Sequence, residues 1–389
     1  MSSNVESTLA GFEREKFAAR KRLYARLLLV CSLTEPSLRP SSWEGAAEVL
    51  LLPVAGALSD KLSRKSVIIG SLCLIALCRS SKLLLLLFNR RAPSLDALNV
   101  GFMACVGAVA KASYVETASS NKEALSASID TATFSSLGLL LAPTLRISIT
   151  QTRGGEKAIT MVSALGALAC AGAVVTMSDD LDDYEAKFDE NDSLLAYTPL
   201  SLGRLAGANK DATLAIAASF LSNCAGTIVL NGFLEQIVSG ISPKASMRLR
   251  FIIFSTLLTL AGMQISKKIQ QILSIEEQST IAGCANVGVA LAILLRKPYI
   301  GLVLNLLAQR ASDETDLLVD ENRPSDIGRG EAVAAITNLA TFSSLAGVLI
   351  LNAANARAGP IGMFFAVGCM QALSEHFKRQ LRQKKLEVW

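Results

Sequence analysis

Long apolar runs alternate with short polar segments from residue 23 to residue 373. A helix needs about 20 apolar residues to cross a membrane, and most of the runs approach that length. The runs cover residues 23–38, 43–58, 66–88, 95–114, 124–149, 158–177, 212–238, 247–265, 279–295, 298–307, 331–355 and 359–373. The first run is short and contains Arg26 and Glu35, so it is the weakest. The pattern predicts an all-α membrane protein with about twelve transmembrane helices.

The composition favours a membrane protein over a soluble one. Hydrophobic residues make up 51% of the chain and charged residues 18%, whereas soluble domains carry about 25% charged residues. The net charge of +5 is small for 389 residues, so we predict no nucleic-acid partner. The single histidine, His376, lies in a basic tail, and the eight cysteines form no CxxC pair. Since the sequence has no Walker loop either, we expect no metal site, no cofactor and no enzymatic activity.

Polar segments divide the chain into two halves and set its orientation. Lys and Arg concentrate in every second connecting segment, beginning with the N-terminal tail, which places both termini in the cytoplasm. The predicted parts are a cytoplasmic tail (1–22), a six-helix half (23–177), an acidic cytoplasmic linker (178–211), a second six-helix half (212–373) and a basic cytoplasmic tail (374–389).

An internal repeat supports the division into halves. The sequence ATFSSL at 132–137 returns at 340–345, at an offset of 340 − 132 = 208 residues. An Ala-Gly pair that ends at Gly56, with a lysine five residues later, returns at Gly262, at an offset of 262 − 56 = 206. Two anchors with nearly the same offset predict duplicated halves that have the same orientation in the membrane.

A polar loop with the sequence GALSDKLSRK separates the second and third runs, at 56–65. It resembles the signature loop of the major facilitator superfamily, and the run before it is similar to the second helix of tetracycline-antiporter-like members. Ser63 stands where that family usually has a glycine. The residues that match the signature are Gly56, Leu58, Asp60, Lys61, Arg64 and Lys65.

The resemblance implies a fold and a role for this loop. The fold would be a major-facilitator bundle of two pseudo-symmetric six-helix halves. Asp60 would act in a gating latch on the cytoplasmic side, and a helix N-terminus or a basic side chain could be the partner of its carboxylate. The alternative is a basic loop that sets the membrane topology and has no gating role.

A second stretch is similar to the antiporter motif of the same family. Gly138 and Pro143 match that motif, whereas Ala142 stands for a glycine. Arg146 and Ile147 replace the glycine pair that ends the motif. The resemblance implies an antiporter or exporter.

Ionisable and amide side chains within the apolar runs are candidates for the substrate or proton pathway, because such groups are costly in a membrane. Asp130 is the first candidate, and Asn338 is its partner in the repeat. Alternatively, Asp130 reaches water at the cytoplasmic end of its helix or pairs with Lys111. The remaining candidates are Arg79, Lys82 and Asn231.

Each of these remaining candidates has a structural alternative. Arg79 and Lys82 share one helical face and could line a cavity for an anionic substrate, or the helix ends near Arg79 and the next residues lie at the interface. Asn231 could contact substrate, or it makes a hydrogen bond between helices.

Together these patterns predict a secondary active transporter of a small organic solute that works by alternating access. Proton coupling is the favoured driving force. The alternative is a non-transporting relative that acts as a sensor or scaffold. The expected partners are the solute, protons and membrane lipid, and we expect a multi-pass monomer.

Overall fold

A computed structural model describes residues 42–88, 90, 93–116, 155–176, 198–240, 272–297 and 327–387, with isolated positions between 257 and 323. Every regular element within these residues is a helix, which confirms the all-α prediction. The helices are α1 (Ser42–Lys61), α2 (Arg64–Leu87), α3 (Pro93–Glu116), α4 (Gly155–Val175), α5 (Ser201–Gly207), α6 (Lys210–Gly240), α7 (Ile275–Leu294) and α8 (Arg329–Glu387).

Six of the described helices are long and apolar enough to cross a membrane. These spans are Arg64–Leu87, Pro93–Ser113, Lys157–Val175, Lys210–Val229, Glu276–Leu294 and Arg329–Gln383. Helix α1, which covers the run predicted at 43–58, is not among them, since Glu44 and Glu48 lower its hydropathy. The bounds of α2 differ from those of its predicted run, 66–88, by only a few residues.

The described residues form two compact units. Unit 1 contains those of Met1–Ser201 together with Gly328–Ala335, and unit 2 contains those of Leu202–Ile327 and Ile336–Trp389. Unit 1 therefore includes the first turns of α8, which come from the C-terminal half of the sequence. The domain bounds predicted from sequence stay a prediction.

Small residues allow the helices of unit 1 to approach closely. A side chain at Gly101 of α3 would lie 3.1 Å from the carbonyl oxygen of Ala47 and 2.8 Å from the Leu51 side chain on α1. Further along both helices, Leu52 of α1 packs on Ala108 and Ala112 of α3 in a buried cluster. The second neighbour of α3 is α2, which in turn packs against α4.

Helix α8 joins the two last predicted runs and continues past them. Gly359 has a positive φ of 57° and a ψ of −145°, and Pro360 follows it, so the helical path is interrupted where the runs were predicted to separate. The helix then continues to Glu387 through the predicted tail. Lys378, which is fully buried, ties this part of the helix to α7: its ammonium donates to the Ser279 hydroxyl at 2.7 Å, and it also donates to Glu375 of its own helix at 2.9 Å.

Candidate functional site

Asp60, in the last turn of α1, binds the start of α8. Its carboxylate accepts hydrogen bonds from the backbone N–H groups of Gly330, at 2.7 Å, and Glu331, at 2.8 Å. The first N–H groups of a helix have no partner within the helix, and a negative charge is favourable there. Asp60 thus caps the first turn of a distant helix, through a residue that lies 270 positions later in the sequence.

Glycines make room for this contact. A side chain at Gly328 or Gly330 would overlap the Asp60 carboxylate, and one at Gly330 would also overlap the Ser59 hydroxyl. A side chain at Gly56 would come within 2.6 Å of both the Gly330 carbonyl oxygen and the Ala334 side chain. The backbone of α1 therefore lies directly against the first turns of α8, and only glycine fits at these three positions.

The contact continues one turn further along both helices. Val333 and Ala334 join the buried cluster of Leu52 with Ala108 and Ala112. Burial of apolar side chains around the capped helix start excludes water from part of the interface, which strengthens hydrogen bonds near it.

Arg64 also approaches the Asp60 carboxylate, at the oxygen that accepts from the Gly330 N–H. Its guanidinium is 3.5 Å from Asp60 Oδ1, a long separation for an ion pair, and the Arg64 side chain is 2% exposed. Lys61 and Lys65 are half-buried, and Leu58 packs against the apolar core of unit 1. The structure brings Gly56, Asp60 and Arg64 together around the start of α8.

Ser63 has a local role of its own. Its hydroxyl accepts a hydrogen bond from the backbone N–H of Ser66 at 3.1 Å, so it is the N-cap of α2. The departure from the family signature at this position therefore supplies a helix cap.

Arg79 is buried among three helices. Its side chain donates from Nε to Asn99 at 2.9 Å, from Nη1 to the Ser163 carbonyl at 3.0 Å, and from Nη2 to the Met103 sulfur at 3.3 Å. Lys82 forms an ion pair with Asp96 at 2.7 Å. Helix α2 continues to Leu87, so the alternative that it ends near Arg79 is wrong.

The other predicted pathway residues are distributed over the chain. Asn338 is fully buried in the part of α8 that belongs to unit 2. Asn231 lies on α6. Four predicted positions lie outside the described residues: Asp130, Gly138, Ala142 and Pro143. The roles assigned to all of these residues stay predictions.

Sequence reasoning missed the helix start that Asp60 binds. The available signal was the sequence GRGE at 328–331, two glycines and an acid placed just before an apolar run. It also gave no role to Glu48, an acid within α1. In the part of the chain that the structure describes, no three His, Cys, Asp or Glu residues are grouped as a metal site would require.

The chain is similar to known proteins in its structure. No family profile and no curated protein matches the chain. Among solved structures, the human organic anion transporter MFSD10 (TETRAN) is similar with a TM-score of 0.72 at 14% identity, over 94% of this chain and 99% of that chain. The E. coli fucose:proton symporter FucP is similar with a TM-score of 0.71 at 14% identity, over 94% and 98%.

A third structure agrees with these two. The proton:xylose symporter XylE is similar with a TM-score of 0.69 at 11% identity, over 94% of this chain and 95% of that chain. The chain has the major facilitator fold. The likeness predicted from the signature loop is therefore confirmed at the level of fold, and a major facilitator fold is the setting in which Asp60 caps α8.

Proposed function

We propose that this protein is a secondary transporter of a small organic solute that works by alternating access, with an antiport or export direction and proton coupling. The capped start of α8 is the observation that carries the proposal. The fold likeness to an organic anion transporter and to two proton-coupled sugar symporters supports it. The residues that would bind the solute are proposals drawn from the sequence.

The Asp60 contact would act as the latch of this cycle. A hydrogen bond to a charged group contributes about 1.5–3 kcal/mol, and Asp60 accepts two from the start of α8. A conformation that separates α1 from residues 328–335 must break both. The contact would therefore hold one conformation in excess over the other, since 1.4 kcal/mol is about a tenfold change in population.

The first experiment is a thermal-shift screen of organic anions, sugars and cationic drugs on the purified protein, because a solute that binds the folded state raises its apparent stability. Flux of each solute found is then measured in proteoliposomes for the wild type, Asp60→Asn and Asp60→Ala. We expect Asp60→Ala to reduce flux by about tenfold or more, since the two hydrogen bonds are lost. We expect a smaller loss for Asp60→Asn, which keeps one acceptor oxygen.

Ser266→Ala is the matched control: Ser266 takes the place of Asp60 at the repeat offset of 266 − 60 = 206 residues, and its replacement should change flux little. Equal flux for the wild type and Asp60→Ala would contradict the latch. Asp130→Asn tests the proton-pathway role proposed for Asp130, and unchanged proton-driven flux in that variant would remove it. If the wild type moves no tested solute, the non-transporting sensor or scaffold becomes the better interpretation.

A further inference from the structure

Buried polar side chains line the contact between α7 and the C-terminal part of α8, and the proposed transport cycle uses none of them. Lys378 donates to the Ser279 hydroxyl on α7 and forms an ion pair with Glu375. One turn before Glu375 on α8 is Gln371, whose side chain is 3% exposed. One turn after Ser279 on α7 is Gly283, and a side chain added there would contact Gln371. The polar contact therefore extends over about two turns of α8.

Some polar atoms of this contact have no hydrogen-bond partner within the part of the chain that the structure describes. They are Nε2 and Oε1 of Gln371 and Oε2 of Glu375. Both residues belong to the candidate span Arg329–Gln383, and the hydrocarbon chains of lipids offer no hydrogen bond. Burial of a polar group is costly unless the group is hydrogen-bonded. These atoms therefore indicate a bound molecule between the helices.

A third helix brings a hydroxyl to the same level. The Ser374 hydroxyl of α8 donates to the Ala218 carbonyl of α6 at 2.9 Å. Further along α6, a side chain at Gly232 would overlap Met363, which precedes Ser374 on α8, so the two helices run antiparallel. Ser222 lies one turn beyond Ala218 on the same side of α6, and its buried hydroxyl has no hydrogen-bond partner among the described residues. The unpartnered amide of α8 lies about one turn from Ser374 in the same direction, so the two groups are level.

Gly283, which is buried, leaves space for a small molecule beside the amide. A carbon atom added as its side chain would lie 3.4 Å from Oε1 of Gln371 and 4.0 Å from Oε1 of Glu375. Among the described residues, no third contact with another element is found within 4 Å of that position. A methyl group and a water molecule have similar volumes, and an oxygen atom about 0.5 Å from the position of this carbon is within hydrogen-bonding distance of Gln371. The space therefore fits a water molecule.

The surrounding groups favour an uncharged ligand that both donates and accepts hydrogen bonds. The Glu375 carboxylate lies 2.9 Å from the Lys378 ammonium, so an added cation would meet the ammonium and an added anion would meet the carboxylate. The oxygens of Gln371 and Glu375 require donors, whereas the Ser222 hydroxyl can donate or accept. Water combines both capacities in the smallest volume, and buried waters in proteins make about two to four such hydrogen bonds.

We propose that this space holds a bound water molecule that joins α6, α7 and α8 within unit 2. The water donates to the Gln371 amide oxygen and to the Glu375 carboxylate, and it accepts from the Ser222 hydroxyl. Its oxygen lies beside Gly283, where α7 has no side chain to exclude it. Because removal of the water would leave its partners unsatisfied in the membrane, it holds the three helices together. The inference goes beyond the proposed function, since it holds whether or not the protein transports a solute.

The first test fills the space and measures the unfolding temperature of the full-length protein in lipid nanodiscs. Gly283→Ala places a methyl group at the site of the water, and we expect an unfolding temperature about 2 °C or more below that of the wild type, because the polar partners are left unsatisfied. The control is Gly368→Ala on α8, where an added side chain would have no described neighbour within 4 Å. Alanine is the better helix former, so the control should be at least as stable as the wild type. A Gly283→Ala protein that is as stable as this control overturns the inference.

Serine at the same two positions gives a second test, which also covers the case in which Gly283→Ala does not fold. The hydroxyl introduced by Gly283→Ser stands in for the water and can donate to the Gln371 amide oxygen, so this variant should be more stable than Gly283→Ala. At Gly368 the order should be reversed, because serine is a weaker helix former than alanine. The same order of serine and alanine at both positions contradicts a polar ligand beside Gly283.

The water itself is sought in an experimental density map of the wild type, at a resolution that shows ordered water. We expect a density peak beside Gly283, within hydrogen-bonding distance of the side chains of Gln371 and Glu375. A map without such a peak, in which Gln371 bonds directly to Glu375, overturns the inference. The map decides the question even if neither variant at Gly283 folds.

Discussion

The starts of α7 and α8 are capped in two different ways. Helix α7 is capped by its own residues: the Ser274 hydroxyl accepts from the N–H of Glu277 at 3.2 Å, and the Glu277 carboxylate accepts from the N–H of Ser274 at 2.8 Å. Helix α8 is capped by Asp60, which is 270 residues away in sequence. The first cap is local and exposed, whereas the second is part-buried and joins distant segments.

Because of this difference, the two caps respond differently to a change of conformation. A local capping box forms whenever its helix forms, so it stabilises α7 in every conformation of the protein. A remote cap forms only when α1 and the start of α8 are together. The stability of the first turns of α8 therefore depends on the tertiary arrangement, as a conformational switch requires.

Gly330→Ala should give the largest effect, because it breaks the remote cap by steric overlap. A methyl group there would overlap the Ser59 hydroxyl and lie 2.6 Å from the Gly56 carbonyl oxygen and 2.8 Å from Asp60 Oδ1. Overpacking costs about 1–3 kcal/mol, more than the gain in helix propensity of about 1 kcal/mol. We expect faster amide hydrogen exchange in residues 328–335 and a lower unfolding temperature.

Gly107→Ala is the matched control for this prediction. Gly107 lies on α3, and a side chain there would have no neighbour within 4 Å. We expect no loss of stability and unchanged exchange at residues 328–335. Equal effects of the two substitutions would show that the contact with Asp60 is not what protects the start of α8.

The sequence predicts the helices better than it predicts their partners. Run lengths place α2 within a few residues because burial in a membrane imposes a long apolar segment. The same pattern leaves two types of partner open for Asp60, a helix N-terminus or a basic side chain. In the structure the Asp60 carboxylate accepts from the Gly330 N–H at 2.7 Å, and the Arg64 guanidinium lies 3.5 Å from it. A contact across 270 residues is set by tertiary packing, which no local pattern encodes.

Two further cases show the same limit. Helical spacing puts Arg79 and Lys82 on one face, yet their partners, Asn99 and Asp96, come from another helix. The sequence predicts a basic cytoplasmic tail after residue 373, and in the structure buried Lys378 anchors part of that segment as a helix through Ser279 of α7. In both cases a charge that a local pattern would place in water is satisfied inside the protein.

Ser274→Ala should give a smaller effect that does not reach α8. Loss of an N-cap serine costs about 0.5–2 kcal/mol, and here alanine also removes the hydrogen bond that the Ser274 hydroxyl donates to the Glu277 carboxylate at 3.0 Å. We expect faster exchange in the first turn of α7, measured by hydrogen-exchange mass spectrometry, and unchanged exchange at residues 328–335. Faster exchange at both helix starts would contradict the division into a local and a remote cap.

Ser63→Gly should give the smallest effect, although it restores the residue that the major facilitator signature usually has. Ser63 caps α2 locally through the N–H of Ser66 at 3.1 Å. Glycine is itself a tolerated N-cap, and replacing serine by it costs only about a few tenths of a kcal/mol. We expect a nearly unchanged unfolding temperature and unchanged exchange at 328–335, because Asp60 reaches Gly330 from the preceding helix. A large loss of protection from hydrogen exchange at residues 328–335 would mean that the N-cap of α2 also positions Asp60 at the end of α1. The remote cap would then depend on a local one.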